Sequence, residues 1–227
     1  MTKKSSLLEQ VSVVGSISQP ASALETLRRV RPDQADVIEL RLDCLQQQAE
    51  ALREMLPAAA PVLVTARHPL EGGQNQISTA ERQALLSGFL GHAAIVDVEV
   101  RSFGEMGELT AAATGASSIL LASFHDFGGT PELSFLEDLI ANAIAHGTDA
   151  VKIATHLAGP EDLVTLARLF TLPDRPPLSV MGMGPLGKVS RLLFARLGSI
   201  LNYGYLDAPT VPAQWEAGEL KRMLARL

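Results

Sequence analysis

One lysine, Lys152, lies in the middle of a short run with the pattern of a buried strand, Asp149-Ala-Val-Lys-Ile-Ala-Thr155. Because strand side chains alternate between two faces, Ala150 and Ala154 share the face of the lysine. A lysine among small apolar neighbours is desolvated, which lowers the pKa of its ammonium group and favours the nucleophilic amine. A lone strand lysine more often reaches solvent at a sheet edge, so this run alone leaves both roles open.

Charged residues also alternate along two other strand-like runs. Glu39 and Arg41 share one face of the first run, and Asp97, Glu99 and Arg101 share one face of the second. In a parallel barrel the helices cover the outer strand face, so the apolar side chains must point outward and the charged ones into the lumen. Burying charge is unfavourable unless the groups pair or meet a polar ligand. The pattern predicts either an interior ion-pair network or a ligand site.

Two further polar residues, Arg67 and His125, end the third and fifth strand-like runs. Barrel active sites lie at the carboxyl ends of the strands. An imidazole is suited to move protons near neutral pH because its ordinary pKa lies there. Considered together with Lys152, Glu39 and Arg41, these positions favour a ligand site over a purely structural network.

Eight strand-like runs alternate with eight helical patterns, and nothing between them suggests a second domain. The runs are 11–17, 36–43, 61–67, 94–100, 117–125, 149–155, 177–183 and 199–205. Such alternation indicates a parallel sheet with right-handed crossovers, and eight units in 227 residues predict a single (β/α)8 barrel domain over 1–227. An open doubly wound sheet is the alternative, although no G-x-G-x-x-G follows the first strand.

Three local signals concern where helices begin and end. Ser78 followed by Glu81 predicts a capping box at the start of one helix. Pro131 is predicted at the first position of a long helix that ends at Gly147.

The segment Gly182-Met-Gly-Pro-Leu-Gly-Lys188 matches G-x-x-x-x-G-K, the core of a phosphate-binding loop. The next residue is Val189, so the hydroxyl that would bind magnesium is absent. We interpret the segment as a tight turn before a helix. Arg191 on that helix could reach a ligand anion at the barrel mouth.

Composition excludes several classes of protein. The formal net charge is −6 and the pI is about 5.4, so no basic face for nucleic acid is expected. Cys44 is the single cysteine, which rules out an internal disulfide and favours a reducing cytoplasm. No signal peptide or membrane-spanning run is recognisable. The five histidines have no metal-ligand spacing, so no metal site is predicted.

Six short motifs, each near a strand end, resemble those of the type I 3-dehydroquinate dehydratase family. They are Glu39-Leu-Arg-Leu-Asp43, Arg67-His-Pro-Leu-Glu-Gly-Gly73, Ser123-Phe-His-Asp-Phe127, Val151-Lys-Ile-Ala154, Met183-Gly-Pro-Leu-Gly-Lys-Val-Ser-Arg191 and Thr210-Val-Pro-Ala-Gln214. The resemblance implies a barrel enzyme of the shikimate pathway that eliminates water from 3-dehydroquinate to give 3-dehydroshikimate. It also implies a homodimer that uses neither a metal nor an organic cofactor.

By this resemblance Lys152 is the Schiff-base lysine, His125 is the general acid and base, and Glu71 orients the histidine. The proton beside the substrate ketone is too weakly acidic to leave unaided. Condensation of the ketone with Lys152 gives an iminium, an electron sink that stabilises the enamine formed next.

The resemblance assigns seven further residues to substrate binding. Those expected to hold the ring hydroxyls are Glu39, Arg41 and Arg67; those expected to hold the carboxylate are Arg191, Thr210 and Gln214; a further contact is Ser16. The family tail is usually Ser-Ala-Pro-Gly-Gln. Thr210 keeps the hydroxyl of that tail, whereas Ala213 replaces its glycine and could stiffen the closing loop.

Two other functions remain open at this point. A barrel aldolase would also use a lysine on the sixth strand, with arginines at the mouth binding a sugar phosphate. A non-catalytic metabolite-binding or scaffolding protein is the other. The intact set of polar lumen residues argues against a scaffold, because a scaffold has no need of the unpaired interior amine predicted at Lys152.

Overall fold

The computed structural model describes residues 7–57, 60–212 and 214–227, and its strands and helices alternate along the chain. The strands are β1 (Ser12–Ile17), β2 (Val37–Arg41), β3 (Val62–Thr65), β4 (Ile95–Glu99), β5 (Ile119–Asp126), β6 (Ala150–His156), β7 (Leu178–Met183) and β8 (Leu201–Tyr205). The helices that follow them are α1 (Ala23–Arg29), α2 (Ala49–Glu54), α3 (Thr79–Ser87), α4 (Gly107–Gly115), α5 (Leu133–Ala145), α6 (Pro160–Arg168), α7 (Gly187–Leu197) and α8 (Ala217–Leu224). Ala213, which replaces the family's glycine, lies outside the described residues.

The strands form one parallel sheet in the order β7-β6-β5-β4-β3-β2-β1-β8. Hydrogen bonds join β7 to β8 and to the residues just before it: Ile200 N–H donates to Leu178 O at 2.8 Å, and Ser179 Oγ donates to Leu201 O at 2.6 Å. These bonds bring the sheet edges together into a nearly closed barrel. The predicted (β/α)8 fold is therefore confirmed, and the alternative of an open doubly wound sheet is wrong.

The two strand faces differ as the alternation predicted. The outer face contributes buried branched residues such as Leu40, Val98 and Ile153 to the apolar layer beneath the helices. The lumen holds a separate apolar cluster that includes Ala150 and Ala154. Burial of both apolar layers drives this arrangement, and it forces the intervening charged side chains into the lumen.

Local signals predicted some helix starts correctly. Ser78 caps α3 through a capping box with Glu81, as expected. The turn before α7 contains Gly184 at a left-handed φ of 78°, and the helix begins at Gly187. The interpretation of that segment as a turn before a helix is thus confirmed.

Two local predictions were wrong, one at Pro131 and one at Arg101. Pro131 is not the first residue of α5, which begins at Leu133. Thr130 Oγ1 lies 2.8 Å from Thr155 Oγ1 and donates to His156 O at 3.1 Å, which ties this segment to the end of β6 before the helix starts.

Arg101 was predicted to face the lumen but is 44% exposed at the rim. The strand β4 ends at Glu99, and the 3₁₀ turn Val100–Ser102 that follows it breaks the alternation of faces. Of the helices in the described ranges, none is both long and apolar enough to cross a membrane.

Candidate active site

A cavity of about 160 Å³ at the carboxyl ends of the strands is lined by every residue that the sequence singled out as a site residue. These residues are Ser16, Glu39, Arg41, Arg67, Glu71, His125, Lys152, Arg191, Thr210 and Gln214. The barrel brings them together because their strands are parallel and end at the same rim.

Lys152 on β6 points into the lumen, and its side chain is 5% exposed. Its Nζ lies 3.0 Å from Asp97 Oδ2 and 4.2 Å from the centre of the Tyr203 ring. The prediction of an unpaired amine was therefore wrong. Burial lowers the pKa of Lys152, and the charge of Asp97 opposes that shift.

Asp97 on β4 is the anion that holds this amine. Its Oδ2 also accepts from Arg67 Nη2 at 2.7 Å, and its Oδ1 accepts from Ser123 Oγ at 2.6 Å. Burial alone would raise the pKa of Asp97, but the charges of Arg67 and Lys152 hold it well below its usual range. The carboxylate stays ionised and fully hydrogen-bonded, so it can retain a cation on the lysine.

Alternating charges continue from Asp97 to the outside of the barrel. Arg67 Nη1 donates to Glu99 Oε1 at 2.8 Å, and Glu99 Oε2 accepts from Arg82 Nη2. Arg82 comes from α3, is fully buried, and donates from Nε to Ala66 O at 2.8 Å. We call Lys152, Asp97, Arg67, Glu99 and Arg82 the charge network. Sequence reasoning missed Arg82 because a charged residue on a helix normally lies in solvent.

His125 and Glu71 form a second pair beside the lysine. Glu71 Oε2 lies 3.1 Å from His125 Nδ1 and accepts the backbone N–H of His125 at 2.9 Å. Burial raises the pKa of Glu71 to about 7. Burial, followed by the charges of Arg67 and Lys152, lowers the pKa of His125 well below its usual value, so its imidazole is neutral at pH 7. A carboxylate at Nδ1 favours the tautomer with hydrogen there, which leaves Nε2 as a base.

Glu39 and Arg41 project from β2 into the cavity. Glu39 accepts hydrogen bonds from Thr65 Oγ1 at 2.8 Å and from Ser16 Oγ. Arg41 binds Asp43 through two parallel hydrogen bonds of 2.9 and 2.8 Å. Its Nη1 donates to none of the described residues, so this nitrogen is available to a ligand.

Arg191 comes from α7 and also lines the cavity. Its Nε donates to Tyr203 O at 3.0 Å, and its Nη1 donates to the carbonyl oxygens of Gly182 and Gly187, each at 2.8 Å. Burial lowers the pKa of Arg191 to about 10, so it is still a cation at neutral pH. Within the described ranges Nη2 makes no hydrogen bond, which leaves one donor of a fixed cation for an anion.

The tail residues Thr210 and Gln214 contact each other over the cavity mouth. Gln214 Oε1 accepts from Thr210 N at 2.8 Å and from Thr210 Oγ1 at 3.2 Å. This contact leaves the amide nitrogen of Gln214 as a donor beside the cavity.

Other residues complete the lining: Gly72, Gln74, Phe127, Ala154, Met181, Met183, Tyr203 and Val211. No sequence signal marked Tyr203, because one tyrosine in an apolar strand usually belongs to the core. Among the described residues no cluster of three or more His, Cys, Asp or Glu side chains could hold a metal ion.

Comparison with known proteins gives consistent matches over nearly the whole chain. Residues 11–227 match a family model described as type I 3-dehydroquinase. A 3-dehydroquinate dehydratase of Pyrococcus abyssi is 32% identical over 213 residues, covering 93% of this chain and 97% of the relative. One of Methanocella arvoryzae is 31% identical over 212 residues, covering 92% and 93%. A solved type I 3-dehydroquinate dehydratase of Clostridium difficile has a TM-score of 0.84 at 23% identity, covering 96% of this chain and 92% of that one, which supports the fold.

Proposed function

Because this chain belongs to the type I 3-dehydroquinase family, we propose that Lys152 forms a Schiff base with the ketone of 3-dehydroquinate. The family reaction eliminates water from 3-dehydroquinate to give 3-dehydroshikimate, a step of the shikimate pathway. The chain is accordingly a hydro-lyase, and the proposal concerns how its residues carry out that elimination.

The observation that carries the proposal is a buried lysine amine that lines the same cavity as a neutral imidazole. The Lys152 ammonium first gives a proton to solvent. The neutral amine then attacks the ketone carbon, and loss of water gives an iminium bound to Lys152. The iminium draws electrons from the neighbouring carbon, so its proton becomes acidic enough for His125 to remove. The resulting enamine expels the hydroxyl that lies two carbons from the imine carbon. His125 gives its proton to this departing hydroxyl, which leaves as water. Hydrolysis then releases the product and the amine.

Asp97 and Glu71 support the two reacting groups differently. Asp97 lies 3.0 Å from the lysine nitrogen and stabilises positive charge there, first on the ammonium and then on the iminium. Glu71 holds the His125 ring by Nδ1 and stabilises the imidazolium formed during proton transfer. Since the iminium is itself the electron sink, this chemistry requires neither a metal nor an organic cofactor.

Substrate binding follows the polarity of the cavity wall. The free Arg191 and Gln214 nitrogens are suited to a carboxylate, and we expect the Thr210 hydroxyl to turn from Gln214 Oε1 to the carboxylate when substrate binds. Glu39, Arg41 and Arg67 with Ser16 are suited to ring hydroxyls. Two of these residues have few hydrogen-bonding groups left for a substrate. Arg67 already donates to Asp97, Glu99 and Ser123. Glu39 already accepts hydrogen bonds from two hydroxyls. We expect them to fix the shape of the wall as well as to contact substrate.

We also propose a domain organisation, an oligomeric state and a cellular location for this protein. Residues 1–227 act as one catalytic domain, the active form is a homodimer, and the protein works in the cytoplasm. The family resemblance supports the dimer, and the single cysteine, Cys44, supports a reducing compartment.

The test is an assay of dehydroshikimate formation, followed by the absorbance of its conjugated ketone. Lys152→Met and His125→Asn should each lower kcat by at least about 10³-fold, since covalent and proton-transfer catalysis are lost. Lys221→Met, on α8 away from the cavity, is the matched control and should keep full activity. Retention of activity by Lys152→Met would exclude the covalent route.

A further inference from the structure

Tyr203 has a buried hydroxyl that the protein does not satisfy. The residue is 5% exposed, and no described residue accepts or donates a hydrogen bond at its oxygen. Most buried hydroxyls have a partner, because leaving one unpaired destabilises the folded state. A phenylalanine would fill the same space without that penalty. We therefore expect a bound ligand to supply the hydrogen-bond partner of this hydroxyl.

The position of Tyr203 identifies the region where that partner would lie. Its ring lines the cavity, and Lys152 Nζ lies over the ring, 4.2 Å from its centre. The hydroxyl belongs to the same ring over which the amine lies, so the attack of the amine takes place next to this residue. Its backbone carbonyl is fixed by Arg191 Nε at 3.0 Å, which holds this stretch of β8 in place.

The nearby carboxylates do not take up the hydroxyl. Glu39 accepts from Thr65 and Ser16, while Asp97 accepts from Arg67, Ser123 and Lys152. Burial and then the charges of Glu39 and Asp97 raise the pKa of Tyr203 well above its usual value. The phenol thus stays protonated at every working pH and can serve only as a neutral donor or acceptor.

We propose that the Tyr203 hydroxyl donates a hydrogen bond to the ketone oxygen of the substrate while the Lys152 amine attacks the carbonyl carbon. This inference rests on the proposed Schiff-base chemistry. The nitrogen lone pair forms the new C–N bond, and the carbonyl π pair moves to oxygen. That oxygen leaves as water with one proton from the nitrogen and one from solvent, and the iminium remains. Tyr203 transfers no proton; it stabilises the charge that develops on oxygen.

The experiment is rapid-quench trapping with sodium borohydride, which measures how fast the Lys152 adduct appears after 3-dehydroquinate is added. Tyr203→Phe keeps the ring beneath the amine and removes only the hydroxyl. It should slow adduct formation about 10²- to 10³-fold, the range for loss of one oxyanion donor. Its free form should unfold at the same or a higher temperature than wild type, because an unpaired hydroxyl has been removed. Tyr205→Phe on the same strand, outside the cavity lining, is the control and should trap at the wild-type rate.

Each other result counts against the proposal. An adduct that forms at the wild-type rate in Tyr203→Phe overturns it, even if a later step is slower. A clear loss of stability in that variant also overturns it, because the hydroxyl would then have a partner in the free protein. If wild type itself gives no adduct, the Schiff-base proposal fails, and this inference fails with it.

Discussion

Glu71 Oε2 contacts His125 at two points, the backbone N–H at 2.9 Å and the ring Nδ1 at 3.1 Å. One carboxylate therefore fixes both the end of β5 and the imidazole that β5 presents to the cavity. The partner comes from the loop after β3, fifty-four residues earlier in the chain. Proton transfer by His125 depends on this loop as much as on its own strand.

Glu71→Gln tests the pair through pH. The raised pKa of about 7 means that the folded state holds the Glu71 proton more tightly than the unfolded state, whose carboxyl titrates near 4.3. Wild type therefore loses stability as the pH rises from about 4 through about 7. Glu71→Gln should be more stable than wild type at pH 8 by on the order of 1–3 kcal/mol, with little difference at pH 4.

Urea unfolding at both pH values measures this difference. The same variant should lower kcat about 10²-fold, because a neutral amide stabilises the imidazolium poorly. Glu50→Gln, in an 82% exposed side chain on α2, is the control and should show neither effect. A Glu71→Gln enzyme with normal kcat would show that the carboxylate does not assist His125.

Asp97→Asn tests the anion beside the lysine. Removal of its charge leaves the Arg67 and Lys152 cations facing each other in the lumen, so the free energy of unfolding should fall by about 3–5 kcal/mol. The pKa of Lys152 should fall further, because the opposing effect of Asp97 is lost. The pH dependence of Lys152 modification by an amine reagent measures that shift. Asp33→Asn, in an exposed pair with Arg31, is the control and should change neither the free energy of unfolding nor the pKa of Lys152. An unchanged Lys152 titration in Asp97→Asn would show that Asp97 does not stabilise the lysine cation.

Arg82→Met tests the outer end of the charge network. It leaves Glu99 buried with one cation instead of two and should destabilise the protein by about 3–5 kcal/mol. Arg29→Met, in an exposed pair with Glu25, should change stability by less than about 1 kcal/mol. Adding Glu99→Gln to Arg82→Met should recover part of the loss in denaturant unfolding. Equal effects of the two arginine variants would mean that the buried pair contributes no more than the exposed one.

Gly72→Ala separates backbone strain from a specific contact at the cavity. Gly72 has φ of 87°, and a Cβ there would lie 2.6 Å from Phe127 Cζ. Gly91 has φ of 81° but open space around it. Alanine at either position should lower the free energy of unfolding by about 1–2 kcal/mol through left-handed strain. Only Gly72→Ala should also lower kcat/KM, since it displaces the loop that carries Glu71; an equal kcat/KM in both variants would exclude that link.

The fold followed from periodicity because a barrel strand repeats one simple rule, with apolar side chains outward and the others inward. Lys152, Glu39 and Asp97 were thus assigned to the lumen without knowledge of any contact. The failures lie where a neighbouring element overrides the local pattern. Pro131 has a good residue type for a helix start, yet Thr130 is held by the end of β6. Arg101 continues the alternation of polar and apolar residues in the sequence, but β4 ends two residues earlier, at Glu99.

Pairings within the site depend on strand register, which the sequence pattern does not contain. Asp97 on β4 contacts Lys152 on β6 across the intervening strand β5, although fifty-five residues separate the two in the chain. Arg82 is hidden for a related reason, since only the docking of α3 on the barrel places a helix arginine against Glu99. Tyr203 could be recognised only once its hydroxyl was seen to lack a partner.

In the proposed reaction one amine, on Lys152, carries the covalent intermediate. The most direct test of this role is peptide mass mapping of the wild-type enzyme after borohydride reduction in the presence of 3-dehydroquinate. Reduction should give a single modified peptide with the added mass on Lys152, and no modification should appear when substrate is omitted. An active enzyme that gives no adduct, or an adduct on a different lysine, would contradict this role of Lys152.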